Sequence, residues 1–230
     1  MPPSLPPLPR ARAVVFDAYG TLFDVHSAVA RHAGAVGPDA ARLSEIWRAK
    51  QLEYTWVLSL AGRRERFWTL TERALDHALA RCPAVDRAMR PKLLAAYHSL
   101  DAYPEVPVVL RQLRAGGVAT AILSNGDPDM LADAVASAGL DGLFDAVLSV
   151  AAAGVFKTNP STYALVPDAL GLERSAVVFV SSNRWDVAGA AAFGFAPVWV
   201  NRGELPDEYP GLDPVEVATD LRALADTYRA

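Results

Sequence analysis

The sequence predicts an α/β protein: a doubly wound parallel sheet with a helical cap subdomain inserted into it. Three observations carry this. Short apolar, strand-like runs alternate with helical stretches along most of the chain. The helical stretches are punctuated, with Pro near the start and Gly just past the end. One interval, between the first and second strands, is too long for a crossover loop and reads as helix throughout. Alternation of strand and helix with right-handed crossovers gives a parallel sheet. The long interval must then fold as a unit of its own.

The elements follow in order. Residues 1–10 are Pro-rich and lack the continuous apolar stretch of a signal peptide, so they read as a flexible leader. The first strand is Val14 to Phe16, where apolar residues from Ala13 run straight into Asp17, as in a strand buried on both faces. From Val25 to Ala102 apolar residues recur at helical spacing: Leu43, Ile46 and Trp47, then Leu52, Trp56 and Leu60, then Phe67, Leu70, Ala74 and Leu75. Pro91 to Leu100 makes another helix. Residues 25–102 are therefore expected as the cap, over the C-terminal edge of the sheet and close to Asp17. Residues 11–24 and 103–230 are expected as a Rossmann-like core.

Within that core the second strand is Val118 to Leu123, followed by a helix from Pro128 to Ala138 closed by Gly139. The third strand is Phe144 to Ser149, followed by a helix from Pro160 to Leu170 closed by Gly171. The fourth strand is Ala176 to Val180, followed by a helix from Trp185 to Phe193 closed by Gly194. The fifth strand is Pro197 to Val200. The tail, Pro214 to Tyr228, predicts a final amphipathic helix against the core.

Composition excludes several classes. Of 230 residues 52% are apolar and 21% charged, which suits a globular enzyme with a large core. The net charge is -4 and no Lys/Arg run stands out, which argues against nucleic acid or an anionic membrane as partner. No apolar run reaches the ~18 residues of a membrane span. A single cysteine, Cys82, excludes an intrachain disulfide framework and fits a reducing, cytoplasmic setting. His32, His77 and His98 lack a Cys or His partner at ligand spacing.

Four short segments fall at strand ends, where a doubly wound sheet builds its site. They are Asp17-Ala18-Tyr19-Gly20-Thr21, Leu123-Ser124-Asn125-Gly126, Phe156-Lys157 ahead of the helix carrying Tyr163, and Ser181-Ser182-Asn183-Arg184-Trp185-Asp186. A carboxylate at the end of a buried strand, such as Asp17, can act as a nucleophile. Asp24 and His26 read as hinge or helix-start residues. On spacing alone, Arg48 also fits a solvated face paired with Glu45 or Glu53. Tyr163 and Trp185 also fit core packing.

This is the motif order of the haloacid dehalogenase superfamily. Within it the chain closely resembles the L-2-haloacid dehalogenases, from Ala13 to about Arg202 and including Trp47 to Trp56 of the cap. The superfamily's phosphatases carry a second Asp two residues after the nucleophile and paired acids in the last segment, which hold Mg²⁺. Here Tyr19 replaces the first and Ser181 one of the second, leaving Asp186. The resemblance thus implies a site with no metal and no cofactor. It implies hydrolysis of (S)-2-haloalkanoic acids to (R)-2-hydroxy acids with inversion, through an ester on Asp17, with a 2-haloacid, water and halide as the small-molecule partners and a homodimer as the assembly.

The resemblance also implies residue roles. Lys157 would hold and position ionised Asp17, and Tyr163 would support Lys157. Asp186, Ser181 and Asn183 would orient and activate the hydrolytic water. Thr21 would fix the Asp17 carboxylate. Ser124, with backbone N–H groups near Ala18, Tyr19 and Asn125, would bind the substrate carboxylate. Arg48, Asn125 and Phe67 would receive the halide. Tyr19, Leu52, Phe67 and Trp185 would form an apolar wall. The usual Pro after the lysine is displaced here to Pro160, behind Thr158 and Asn159. Two rival readings are a Mg²⁺-dependent phosphatase of the same fold and a non-catalytic binding protein on this scaffold.

Overall fold

The computed structural model describes residues 11–227. The leader expected over residues 1–10 and the end of the expected tail helix at Tyr228 lie outside the described residues. Six strands form one parallel sheet: β1 (Ala13–Phe16), β2 (Ala119–Ser124), β3 (Ala146–Ser149), β4 (Val177–Ser181), β5 (Ala196–Val200) and β6 (Glu216–Ala218). Their order is β3-β2-β1-β4-β5-β6. Consecutive strands thus run outward from β1 in one direction as far as β3, and the chain then crosses to β4 on its other side. The switch falls between β1 and β4, and crevices at such switch points bind ligands. The central strands are apolar on both faces: every residue of β1 and β4 is buried, as parallel sheets covered by helices require.

The segment inserted between β1 and residue 102 holds five α-helices: α1 (Ser27–Ala30), α2 (Ala33–Val36), α3 (Ala40–Leu60), α4 (Phe67–Arg81) and α5 (Arg90–Tyr97). Leu43, Trp47, Gln51 and Thr55 of α3 are buried at helical spacing, as are Phe67, Leu70, Thr71, Ala74, Leu75 and Ala78 of α4. The chain leaves and re-enters the sheet side by side. Tyr103 N–H donates to Leu22 O (3.0 Å) and Asp24 N–H to Asp101 O (2.8 Å).

The remaining helices are α6 (Val106–Ala115), α7 (Pro128–Ser137), α8 (Pro160–Leu170), α9 (Arg184–Phe193) and α10 (Arg222–Thr227). Gly171 and Gly194 end α8 and α9 in the left-handed conformation, at φ 63° and 99°, which glycine adopts without a Cβ penalty.

Two expectations need correction. The interval from 103 to 117 contains α6, which the sequence reading left unassigned; its buried Val106, Val109, Leu110 and Leu113 recur at helical spacing. The tail is not one helix from Pro214. Residues 216–218 pair with β5 as an edge strand, Asn201 N–H donates to Ala218 O, and helix resumes only at Arg222. A three-residue strand is too short for a period of two to be told from helical spacing.

Candidate active site

Asp17 stands at the C-terminal end of β1, 5% exposed, where the switch point delivers it. The chain turns back at once: Ala18 O accepts N–H bonds from Thr21, Leu22 and Phe23, with Gly20 at φ 93°. That turn brings Thr21 beside Asp17. The two Asp17 oxygens differ sharply. Oδ2 accepts from Asn183 Nδ2 (2.7 Å), Thr21 Oγ1 (3.1 Å) and Ser181 Oγ (3.4 Å). Oδ1 meets Lys157 Nζ at 3.1 Å.

Lys157 is buried without exposed side-chain surface. Its ammonium also reaches Asp186 Oδ2 at 2.7 Å and lies 5.0 Å from the Phe179 ring centroid. One cation therefore bridges two buried carboxylates. Lys157 is held from behind by Asn125, whose Oδ1 accepts the Lys157 backbone N–H at 3.0 Å. The Lys157–Thr158 peptide bond is cis.

Asp186, in the first turn of α9, is fully buried. Burial is the main reason its carboxyl is raised to about 6. Lys157 opposes the shift, the Asp17 charge adds to it, and hydrogen bonds from Lys157 and Tyr163 oppose it further. Tyr163, on α8, donates to Asp186 Oδ1 at 2.7 Å. The expectation that Tyr163 supports Lys157 is thus corrected: the hydroxyl bonds to Asp186, and reaches the lysine only through it. The tyrosine also packs in the core against Phe179 and Phe193, as its core-packing reading has it.

Arg48 crosses from α3 to the sheet edge. Its guanidinium donates to Tyr19 O (3.0 Å), Asn183 Oδ1 (3.2 Å) and Gln51 Oε1 (3.1 Å), while Lys50 pairs with Glu53. Gln51 is buried and also bonded to Thr71 and Tyr97. It was missed in the sequence, although it sits one helical turn from Arg48, where i and i+3 residues share a face.

Ser124 ends β2, fully buried. Its Oγ accepts the Gly126 N–H at 3.1 Å, which leaves the hydroxyl proton to be directed elsewhere. Tyr19 and Phe67 face each other at 5.9 Å between ring centroids, with Tyr97 and Phe156 beside them. Burial, then Tyr97 and Asp127, hold the Tyr19 phenol well above the usual tyrosine range, so it stays neutral. Leu52 is half-buried on α3, one turn beyond Arg48. Trp185 meets Trp56 edge-on at 5.7 Å and lines a groove of about 560 Å³ that also takes in Phe156, Lys157 and Thr158. A cleft of about 430 Å³ opens beside Asn125 and Phe156, with Arg64 and Arg66 at its wall.

The donor set does not fit a hard divalent ion. Such an ion takes six or more oxygen ligands, mostly carboxylates, carbonyls and waters. Here the two carboxylates already share the Lys157 ammonium, and among the described residues no cluster of three or more His, Cys, Asp or Glu is placed to hold a metal. No helix among the described residues is long and apolar enough to cross a membrane.

Comparison with known proteins agrees with this geometry. The family model for haloacid dehalogenase-like hydrolases matches residues 11–194. An (S)-2-haloacid dehalogenase of Pseudomonas sp. (strain CBS-3) is 47% identical over 199 residues, covering 86% of this chain and 88% of that protein. A solved L-2-haloacid dehalogenase superposes with a TM-score of 0.92 at 44% identity, covering 96% of this chain and 100% of the other. The L-2-haloacid dehalogenase of Xanthobacter autotrophicus, solved with chloropropionic acid covalently bound, superposes with a TM-score of 0.83 at 38% identity, covering 94% and 97%.

Proposed function

The chain belongs to the haloacid dehalogenase-like hydrolases, and from that premise we propose that it hydrolyses the carbon–halogen bond of short (S)-2-haloalkanoic acids. The products are halide and the (R)-2-hydroxy acid. The observation that carries this reading is the asymmetry of Asp17, which among the described residues has three donors on Oδ2 and only the Lys157 ammonium on Oδ1.

Oδ1 attacks the halogen-bearing carbon from the side opposite the halogen. The carbon–halogen bond breaks with its electron pair, halide departs, and an ester of inverted configuration joins Asp17 to the substrate. Halide needs no proton to leave, so a neutral phenol at Tyr19 suffices where a phosphatase needs an acid. Oδ2 becomes the ester carbonyl oxygen. Water then attacks Cγ, negative charge develops on Oδ2, and Thr21, Ser181 and Asn183 are already aimed at it, which is how an oxyanion is stabilised without reorganisation. Asp186 takes one proton of the water, since a carboxyl raised toward neutrality suits a general base. The Cγ–O bond to the substrate breaks, the other proton ends on the product hydroxyl, and Asp186 releases its proton to solvent as product leaves, so that both carboxylates are restored.

The substrate carboxylate binds at Ser124 and the backbone N–H groups around Ala18, Tyr19 and Asn125. The halide is received by Arg48, the Asn125 amide and Phe67. Tyr19, Leu52 and Phe67 exclude bulk water. Residues 25–102 act as a cap on the core of 11–24 and 103–230, because Asp17 is too buried for a substrate to enter without an opening. A homodimer belongs to the same reading: Val57 and Leu60 on α3 are 55% and 90% exposed, and sedimentation at twice the chain mass tests it. So does a cytoplasmic location, consistent with the buried free thiol of Cys82 and tested by fractionation.

The test is halide release from each enantiomer of 2-chloropropionate in the presence of EDTA. Release from the (S)-enantiomer alone, unaffected by EDTA and lost in a folded Asp17→Asn variant, is expected. No release from either enantiomer, with Mg²⁺-dependent hydrolysis of a phosphate ester, would overturn the reading.

A further inference from the structure

Asp127 sits at the start of α7, directly before Pro128. In sequence this is a helix-capping position, and Asp is among the residues that favour it. The side chain does not cap α7. It turns across to the N-terminus of α4, in the inserted helical segment. Oδ2 accepts the Trp68 N–H at 2.9 Å and Oδ1 the Phe67 N–H at 3.3 Å, and Arg66 Nε lies 3.4 Å from Oδ2. The N-cap residue of α4 itself, Arg66, makes no side-chain cap. Helix α4 is therefore capped by a residue of the sheet domain, and the carboxylate also meets the positive end of the helix dipole.

The first residue of α4 is Phe67, 1% exposed and packed on Tyr19 and Phe156. Asp127 is itself 5% exposed and follows Ser124 and Asn125 by only a few residues, on the loop that also fixes the Lys157 backbone. One short loop thus holds the nucleophile's cation at one end and the aromatic wall at the other.

We propose that Asp127 is a positioning residue for the reaction: by capping α4 from the sheet domain it seats Phe67 over Asp17 and holds the site closed around the substrate. This rests on the functional reading above. The residue touches no reacting atom and acts through Phe67.

The test compares wild type, Asp127→Ala, Asp127→Asn and Phe67→Ala in the full chain. For (S)-2-chloropropionate, Asp127→Ala is expected to raise KM about tenfold with a smaller loss in kcat. Asp127→Asn, which keeps one capping oxygen, should recover most of the loss. The double variant Asp127→Ala/Phe67→Ala should be no worse than Phe67→Ala, because residues acting through one contact are not additive. Independently of turnover, amide exchange of Phe67 and Trp68 should speed about tenfold in Asp127→Ala while α6 is unchanged. Additive losses in the double variant, or unchanged exchange at Phe67 and Trp68, would overturn the proposal. If Asp127→Ala does not fold, Asp127→Leu, which keeps the branched shape but offers no acceptor, carries the exchange test, with unchanged exchange at both amides again overturning it. Wild type that releases no halide would instead overturn the functional reading, and the exchange result would still decide whether Asp127 holds α4.

Discussion

Asp186 is the residue whose surroundings make the sharpest prediction. Its carboxyl is raised to about 6, chiefly by burial, and the Tyr163 hydroxyl is one of the groups that pull it back down. In the proposed mechanism turnover needs Asp186 ionised, so activity should fall as pH drops through about 6. Removing the Tyr163 hydroxyl raises the Asp186 value further. In Tyr163→Phe the acidic limb of kcat should therefore move to higher pH, read from a pH–rate profile. Stability runs the opposite way. The folded state binds this proton more tightly than the unfolded state does, so the stability due to Asp186 is fullest below the ordinary carboxylate range. It is lost as pH rises through about 6.

The placing of several site residues was legible in the sequence, because strand-end residues announce themselves: Asp17, Ser124 and Ser181 each end or follow an apolar run, whereas Asp186 was singled out only by the family resemblance. What was not legible was who touches whom. Tyr163 points to Asp186 rather than to Lys157 because α8 and α9 pack side by side, and nothing local to either helix encodes that contact. Trp185 follows Asn183 by two residues and lies in the same motif, yet its ring turns to Trp56, which only the tertiary path of α3 brings near.

At the scale of elements, the α8–α9 contact is made possible by an absence of side chain. A β-carbon at Gly189 of α9 would lie 2.3 Å from the Tyr163 hydroxyl and 3.0 Å from Thr158 Cβ. Gly189→Ala should therefore push Tyr163 off Asp186. Overpacking of this kind costs about 1–3 kcal/mol, measurable by urea unfolding, and the variant should share the altered acidic limb of Tyr163→Phe. Helices with clean start and stop signals were well placed from sequence, and α8 spans Pro160–Leu170 as expected. Helix α6 and strand β6 were not. Helix α6 follows a Pro-containing hinge that masks its start, and β6 gains its pairing from β5 rather than from its own residues.

For the molecule as a whole, the crossing between sheet and inserted helices is the joint to test. An ion pair lies beside it, Arg31 with Asp101 at 2.5 Å, but its side chains are 34% and 61% exposed. Exposed pairs contribute little, under about 1 kcal/mol. Phe23, at the same crossing, is fully buried, and truncating such a ring costs about 3–5 kcal/mol. Arg31→Ala should barely move the unfolding midpoint, whereas Phe23→Ala should lower it strongly.

The bridging of Asp17 and Asp186 by one ammonium, with the Arg48 guanidinium at the same site, has a consequence for ion traffic. Counting these four groups, the closed site is electrically neutral before substrate enters. A haloalkanoate brings one negative charge, esterification passes the charge of Asp17 to the halide, and the departing halide carries it away, so the chamber returns to neutrality with the product half still attached. A molecule arriving with two negative charges would put the chamber two charges out of balance on entry and leave it one out after halide departs. The charge count thus weighs against halogenated dicarboxylates, before shape or size is consulted.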